Sequence, residues 1–353
     1  MAKAWDDDRR VDAVELMELV GAIFRACGMD DADAHLLADS LVYADLGGVH
    51  SHGVLRVPKY AVTLTADGVN PRGRPEVVRE MGACLVVDGH NAMGQIGCHF
   101  AMERAIEKAE EHGIGAAAVR GSNHCGAMAY FAMQAIARDM IGWATTNALP
   151  TMAPWGGTER IIGINPLGVA VPAGREYPIV FDAAFSGSSH GKIRIHHQKG
   201  LALPEGWALN SKGQPTTDPA AAIDGLLMPI GQFKGVALAM IMGLFSSLLS
   251  GAAYGAELGN MEDGPQAGAD GHFVMAINAG AFEEVERFKE RVDRAIEEVH
   301  GCRKAPGVER VYAPGEKEFL CREVYGREGV PLNEVTLAGI GEAAREVGVD
   351  VTE

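Results

Sequence analysis

The chain has 353 residues, of which 47% are hydrophobic and 22% charged, with a formal net charge of -16. That length accommodates about two domains of ~150 residues and excludes a peptide hormone, a disulfide miniprotein or a disordered tail. The acidic balance repels phosphate backbones and anionic lipid, so neither nucleic acid nor a membrane surface is an expected partner.

Residues 1–74 read as an N-terminal helical segment. Asp12 followed by Glu15 predicts a capped helix to about Cys27, and Asp30 caps a second through about Leu46. A third runs from Tyr60 to Ala66 and stops at Gly68. Residues 75–300 alternate between strand and helix. Strands are predicted at Cys84–Val87, Ala116–Val119, Ile141–Thr146, Val169–Val171, Ile179–Phe181 and His272–Ile277. Helices are predicted at Phe100–His112, closed by Gly113, at Met128–Arg138 and at Glu283–Val299. This alternation predicts a layered α/β core. The stretch from Gly235 to Ala253 is uncharged and reaches the ~18 residues that could span a membrane, but it lacks basic flanks. It is expected to be a fully buried core helix. Residues 301–353 return to helices punctuated by Pro306, Pro314 and Pro331, and are expected to pack back on the N-terminal segment.

The six cysteines are scattered without a CxxC pair, and Met1 to Arg10 has no apolar run. Free thiols in a cytoplasmic protein are expected. Gly113-Ile-Gly115-Ala-Ala-Ala118 matches GxGxxA as a string, but a helix precedes it and a strand follows. A dinucleotide pyrophosphate needs the reverse order, with a helix N-terminus after the glycines. Any dinucleotide must therefore bind without that fingerprint.

Polar residues concentrate in a few segments. Residues 50–60, HSHGVLRVPKY, hold His52, Arg56 and Tyr60. A guanidinium grips a carboxylate through two parallel hydrogen bonds, and an imidazole can pass a proton to a carbonyl oxygen. The same residues also suit a solvated turn. Residues 120–131, RGSNHCGAMAYF, bring His124 to the carboxyl end of a strand, where ligands bind in open sheets. Asn147 lies in TTNALPTMAPWGG (145–157), a rigid irregular loop. Asp182-Ala183-Ala184-Phe185-Ser186-Gly187-Ser188 runs from a strand into small residues that would admit a phosphate. A zinc site built from His124, Cys125, Cys98 and His99 has spacings that fit no known ligand set, and no metal is expected.

Together with INPLGVAVP (164–172), GWALNSKGQPTTDP (206–219), PIGQFKG (229–235) and GHFVMAI (271–277), these segments resemble the malate/L-lactate dehydrogenase family of non-Rossmann oxidoreductases over residues 11–345. The resemblance implies a mixed-sheet α/β fold, an interlocked homodimer, and hydride transfer between NAD, or NADP, and C2 of a small 2-oxo acid. A cyclic 2-imino acid is the alternative substrate, and an inactive binding protein the alternative of another class. By resemblance His52 is the acid/base residue, with His124 as its rival for proton transfer, and Arg56 binds the carboxylate with Tyr60 and Asn147 nearby. The cofactor segments fall on Asp182, Ala183, Ser186, Gly187, Ser188, Phe233, Lys234, Gly315 and Glu316. Departures from the family pattern at Ala183, Ile164 and Asn278 are expected to line the pocket and to leave substrate and cofactor preference open.

Overall fold

The computed structural model describes residues 8–198, 200–259 and 267–350. Helices α1 (Ala13–Ala26) and α2 (Asp31–Leu46) start where the two aspartates stand. The Asp12 carboxylate accepts from the Val14 and Glu15 amides, and Asp30 accepts from Asp33. Helix α3 (Val57–Thr65) begins three residues earlier than expected, because Pro58 suits a first helical turn. Leu16, Val20, Ile23 and Phe24 of α1 pack against Leu37 and Leu41 of α2 in a core that includes the fully buried Tyr60.

The central sheet has seven strands: β1 (Glu76–Met81), β2 (Cys84–Asp88), β3 (Ile114–Ser122), β4 (Met140–Thr146), β5 (Leu167–Val171), β6 (Ile179–Ala183) and β7 (Asp270–Asn278), in the order β1-β2-β3-β7-β4-β5-β6. Only β2 and β3 run parallel, joined by helix α4 (Gly94–His112) as the crossover such a pair requires. The other neighbours are antiparallel. The last strand in sequence is therefore inserted at the centre, where His272 sits opposite Val119 on one side and Thr146 on the other. Gly113 ends α4 at φ +81, and a Cβ at Gly115 would overlap the Ala105 carbonyl. These glycines serve helix–strand packing, with no helix N-terminus following them.

Helix α4 starts at Gly94 and not Phe100, since its first turn lies against the Asn123–Cys125 loop too closely for any Cβ. Met128–Arg138 divides into α5 (Met128–Ala132) and a 3₁₀ turn. Helices α6 (His190–Gln198) and α7 (Pro219–Ile223) flank a small three-stranded sheet over a separate core around Phe185, Ile193 and Leu227. The apolar stretch forms α8 (Phe233–Gly243) followed by a π-helical turn, Leu244–Leu248. It is not the buried helix expected. Val236, Ala239 and Met242 face inward, while Leu248 and Leu249 are 59% and 57% exposed. Among the described residues no helix is long and apolar enough to cross a membrane. After α9 (Val285–Gly301) come α10 (Glu316–Glu328) and α11 (Glu334–Glu346). Ile340 and Ala344 join the N-terminal core, and Val330–Leu332 pairs antiparallel with Arg9–Val11.

Candidate active site

The end of α2 fixes the 50–56 turn. Asp45 is fully buried, and its carboxylate accepts from the Val54 amide (2.7 Å) and lies 2.7 Å from His50 Nδ1. A Cβ at Gly53 would overlap that carboxylate, so only glycine lets the turn close here. The two short 3₁₀ turns that result carry His52 and Arg56. Ser51 Oγ lies 2.9 Å from His52 Nδ1, and Arg56 Nε donates to the Ser51 carbonyl at 3.0 Å. Imidazole and guanidinium are thus tied to one residue, Ser51.

The second histidine arrives from the end of β3. Asn123, fully buried, donates to Asn91 Oδ1 and the Ala92 carbonyl and accepts from the Gly268 amide. That clamp makes the loop after β3 rigid. It sets the His124 ring 5.9 Å from the His52 ring at an interplanar angle of 20°. Tyr60 Oη is 2.6 Å from His124 Nδ1, and the Gly126 amide also points at that nitrogen, at 3.3 Å. Burial pushes the Tyr60 phenol up to about 12, so it stays protonated and donates. With two donors aimed at Nδ1, the His124 proton belongs on Nε2.

Both imidazoles are held neutral. Burial, with the nearby Arg56 charge adding to it, pushes His52 down to about 4. Burial also holds His124 well below the usual imidazole range, aided by Arg56 and His52. A neutral imidazole beside a guanidinium can accept the proton of an alcohol whose carboxylate the guanidinium binds.

The other expected residues fall into separate groups. Asn147 is buried and its amide is spent within the chain: Nδ2 donates to Ser247 Oγ and the Ala253 carbonyl, and Oδ1 accepts from Gly271. Asp182 reaches the site loop, since its Oδ2 accepts from the Ala129 amide at 2.7 Å. Ala183 follows it on β6, opposite Leu167. Ser186 bridges to Pro229, and Ile230 donates to the Phe185 carbonyl, so the 182–188 and 229–235 segments lie side by side. Gly187 does not leave open room for a phosphate: a Cβ there would overlap the Gly206 carbonyl of the same chain. Phe233 and Lys234 are exposed at the N-terminus of α8. Gly315 packs on Val180 of β6, and Glu316 is buried against His300, Arg310 and the Ala313 amide. Asn278 does not line the site. It caps a turn at the far end of β7, roughly 27 Å along the strand from Asp270.

The junction of the 182–188 and 229–235 segments fits a dinucleotide. Ser188 Oγ is buried there without a hydrogen-bond partner, and an eleven-residue helix presents its N-terminus alongside Lys234. Sequence reading missed Asp45, Ser51 and Gln95, whose Nε2 faces the Tyr60 hydroxyl at 3.5 Å. An aspartate at the C-terminal end of a helix, just before a Gly-containing turn, was the available signal for Asp45.

Residues 11–341 match the malate/L-lactate dehydrogenase family. A malate dehydrogenase of Pyrococcus abyssi is 38% identical over 96% of this chain and 95% of its own length. A Pseudomonas putida Δ1-pyrroline-2-carboxylate/Δ1-piperideine-2-carboxylate reductase is 33% identical over 94% and 96%. The solved sulfolactate dehydrogenase of Methanocaldococcus jannaschii superposes with a TM-score of 0.91 at 34% identity, covering 97% of this chain and 98% of that one. A family match across nearly the whole length, on a sheet of the same fold, establishes that this chain belongs to the malate/L-lactate dehydrogenase family.

Proposed function

We propose that the protein is an NAD-dependent oxidoreductase interconverting a small 2-hydroxy acid and its 2-oxo acid. The convergence of the Arg56 guanidinium with two neutral, stacked imidazoles carries this reading. A bound nicotinamide dinucleotide supplies or accepts the hydride at C2. Asp182, Ser186, Ser188, Phe233 and Lys234 would hold it. Gly315 and Glu316 act from behind, by supporting β6. Lys234 is the single cation in residues 182–188, 229–235 and 315–316. It is assigned to the pyrophosphate.

Arg56 binds the substrate carboxylate, and His52 takes the hydroxyl proton at a ring nitrogen in oxidation and returns it in reduction. The bound carboxylate offsets the Arg56 charge, so substrate binding itself raises the His52 pKa towards the value an acid needs. His124, with Nδ1 already engaged by Tyr60 and Gly126, offers its Nε2–H to the substrate oxygen and orients it. The exposed apolar face of α8, with Leu248 and Leu249 at its end, supports a homodimer as the working form.

The test is a panel of oxaloacetate, pyruvate and a cyclic 2-imino acid, each with NADH and NADPH. Faster turnover of a 2-oxo acid with NADH supports the proposal. Preference for the imino acid would make the protein a ketimine reductase. Failure of either dinucleotide to quench tryptophan fluorescence would leave a binding protein without redox activity.

A further inference from the structure

Beneath the His124 loop lies a cluster that the reaction does not use. Cys98 comes from the first half of α4, Cys125 from the loop after β3, and His272 from β7, and all are fully buried. Their Sγ, Sγ and ring-nitrogen atoms all lie within 4.8 Å of one another, with Cys125 Sγ 3.5 Å from His272 Nδ1. In a tetrahedral site with bonds of ~2.3 Å to sulfur and ~2.0–2.1 Å to nitrogen, neighbouring ligand atoms stand about 3.5–3.8 Å apart. The set considered from the sequence, with His124 and His99 beside these cysteines, has spacings that fit no known ligand set, and the structure does not assemble it. His124 Nδ1 is instead engaged by Tyr60, and His99 Nδ1 by Gln134.

We propose that Cys98, Cys125 and His272 bind a thiophilic divalent cation, with Zn²⁺ as the physiological class. Three ligands converge from three separate elements. His272 Nε2 lies 2.8 Å from Ser122 Oγ. The tautomer protonated at Nε2 donates to that hydroxyl and leaves the Nδ1 lone pair facing Cys125, the arrangement that orients histidine ligands generally. Thr146 Oγ1, 2.8 Å from Nδ1, can donate to the Gly271 carbonyl at 3.3 Å instead, which releases the Nδ1 lone pair to the ion, and a water completes four-coordination. Two thiolates neutralise a divalent ion, so the complex carries no net charge into a buried position. Sulfur and imidazole donors exclude magnesium and calcium, which select oxygen. Binding forms two metal–sulfur bonds and displaces the two thiol protons to solvent, with no change of oxidation state. Such an ion would pin α4, β7 and the loop carrying His124 to one point.

The test uses the full-length protein, reduced and stripped with a chelator, and Co²⁺ as the spectroscopic probe. The expected result is one equivalent bound per chain, with the thiolate charge-transfer and ligand-field bands of tetrahedral cobalt, displaced stoichiometrically by Zn²⁺ with release of about two protons. Cys98→Ala and Cys125→Ala should each lose those bands, while Cys84→Ala and Cys302→Ala, at exposed thiols, should keep them. Unchanged NADH quenching in the Cys98 variant shows that it is folded. Three results would overturn the site: no saturable cobalt spectrum, bands that survive in both the Cys98 and Cys125 variants, or fewer than the six free thiols in the unfolded, unreduced chain, which would mean that the pair is a disulfide.

Discussion

His52 and His124 are the same residue type, stacked face to face, yet the chain holds them in different ways. His52 sits on a turn anchored from below by Asp45, sharing Ser51 as a partner with the Arg56 clamp. His124 sits on a loop anchored by Asn123, with one ring nitrogen already committed to Tyr60. Two imidazoles in contact need not share a role: hydrogen bonds and nearby charge divide them into a proton carrier and an orienting donor.

Removing the carrier should have the largest effect. His52→Asn should lower kcat by roughly 10²–10⁴, the scale of losing a general acid or base, while NADH titration shows unchanged affinity. Weaker binding of NADH in that variant would mean that His52 supports the cofactor site. Next comes the clamp. Arg56→Lys keeps the charge but loses the two-point grip, so kcat/KM for the oxo acid should fall about 30- to 1000-fold with the cofactor Kd little changed. Equal kcat/KM in the lysine variant would remove Arg56 from substrate binding.

The orienting side should respond less. Tyr60→Phe deletes one donor to His124, and the loss should be about 10-fold in kcat/KM, the worth of a single buried hydrogen bond. A 1000-fold loss would instead place Tyr60 and His124 on the proton path. The smallest effect is on stability. His52 is depressed below its ordinary value by burial and by Arg56, with the neutral His124 ring facing it. Between about 6.5 and about 4 the unfolded chain therefore binds a proton that the folded one refuses, and stability falls as pH falls through that window. The Tm of wild type should drop more than that of His52→Asn between neutral pH and pH ~4.5. Parallel curves would show that the imidazole is not held neutral.

Much of this was legible in the chain. Asp12 and Asp30 announced their helices because capping is local, and six of the seven central strands announced themselves as short apolar runs, whereas β1, the charged and largely exposed edge strand EVVREM, was not read as a strand. The clustering of His52, Arg56 and Tyr60 was visible within eleven residues. What could not be read depends on distant partners. Tyr60 meets His124 across 64 positions, and His272 meets Ser122 across 150. The start of α4 at Gly94 was hidden because its glycines lower helix propensity, and their reason is the close approach of the Asn123 loop. Gly187 and Asn147 have ligand-like surroundings in sequence, but their tight contacts are to Gly206 and to Ser247 of the same chain. The apolar composition of α8 gave no sign of which side would be covered, so a half-exposed helix read as a buried one.

The assignment of proton transfer to His52 is tested most directly by the pH dependence of kcat/KM for 2-hydroxy acid oxidation. Wild type should lose activity on the acidic side as His52 protonates near pH 4, and Arg56→Gln should move that limb upward as the repelling charge is removed. In His52→Asn the limb should vanish and leave a low, flat profile. A limb that persists in His52→Asn at the same pH would contradict the account.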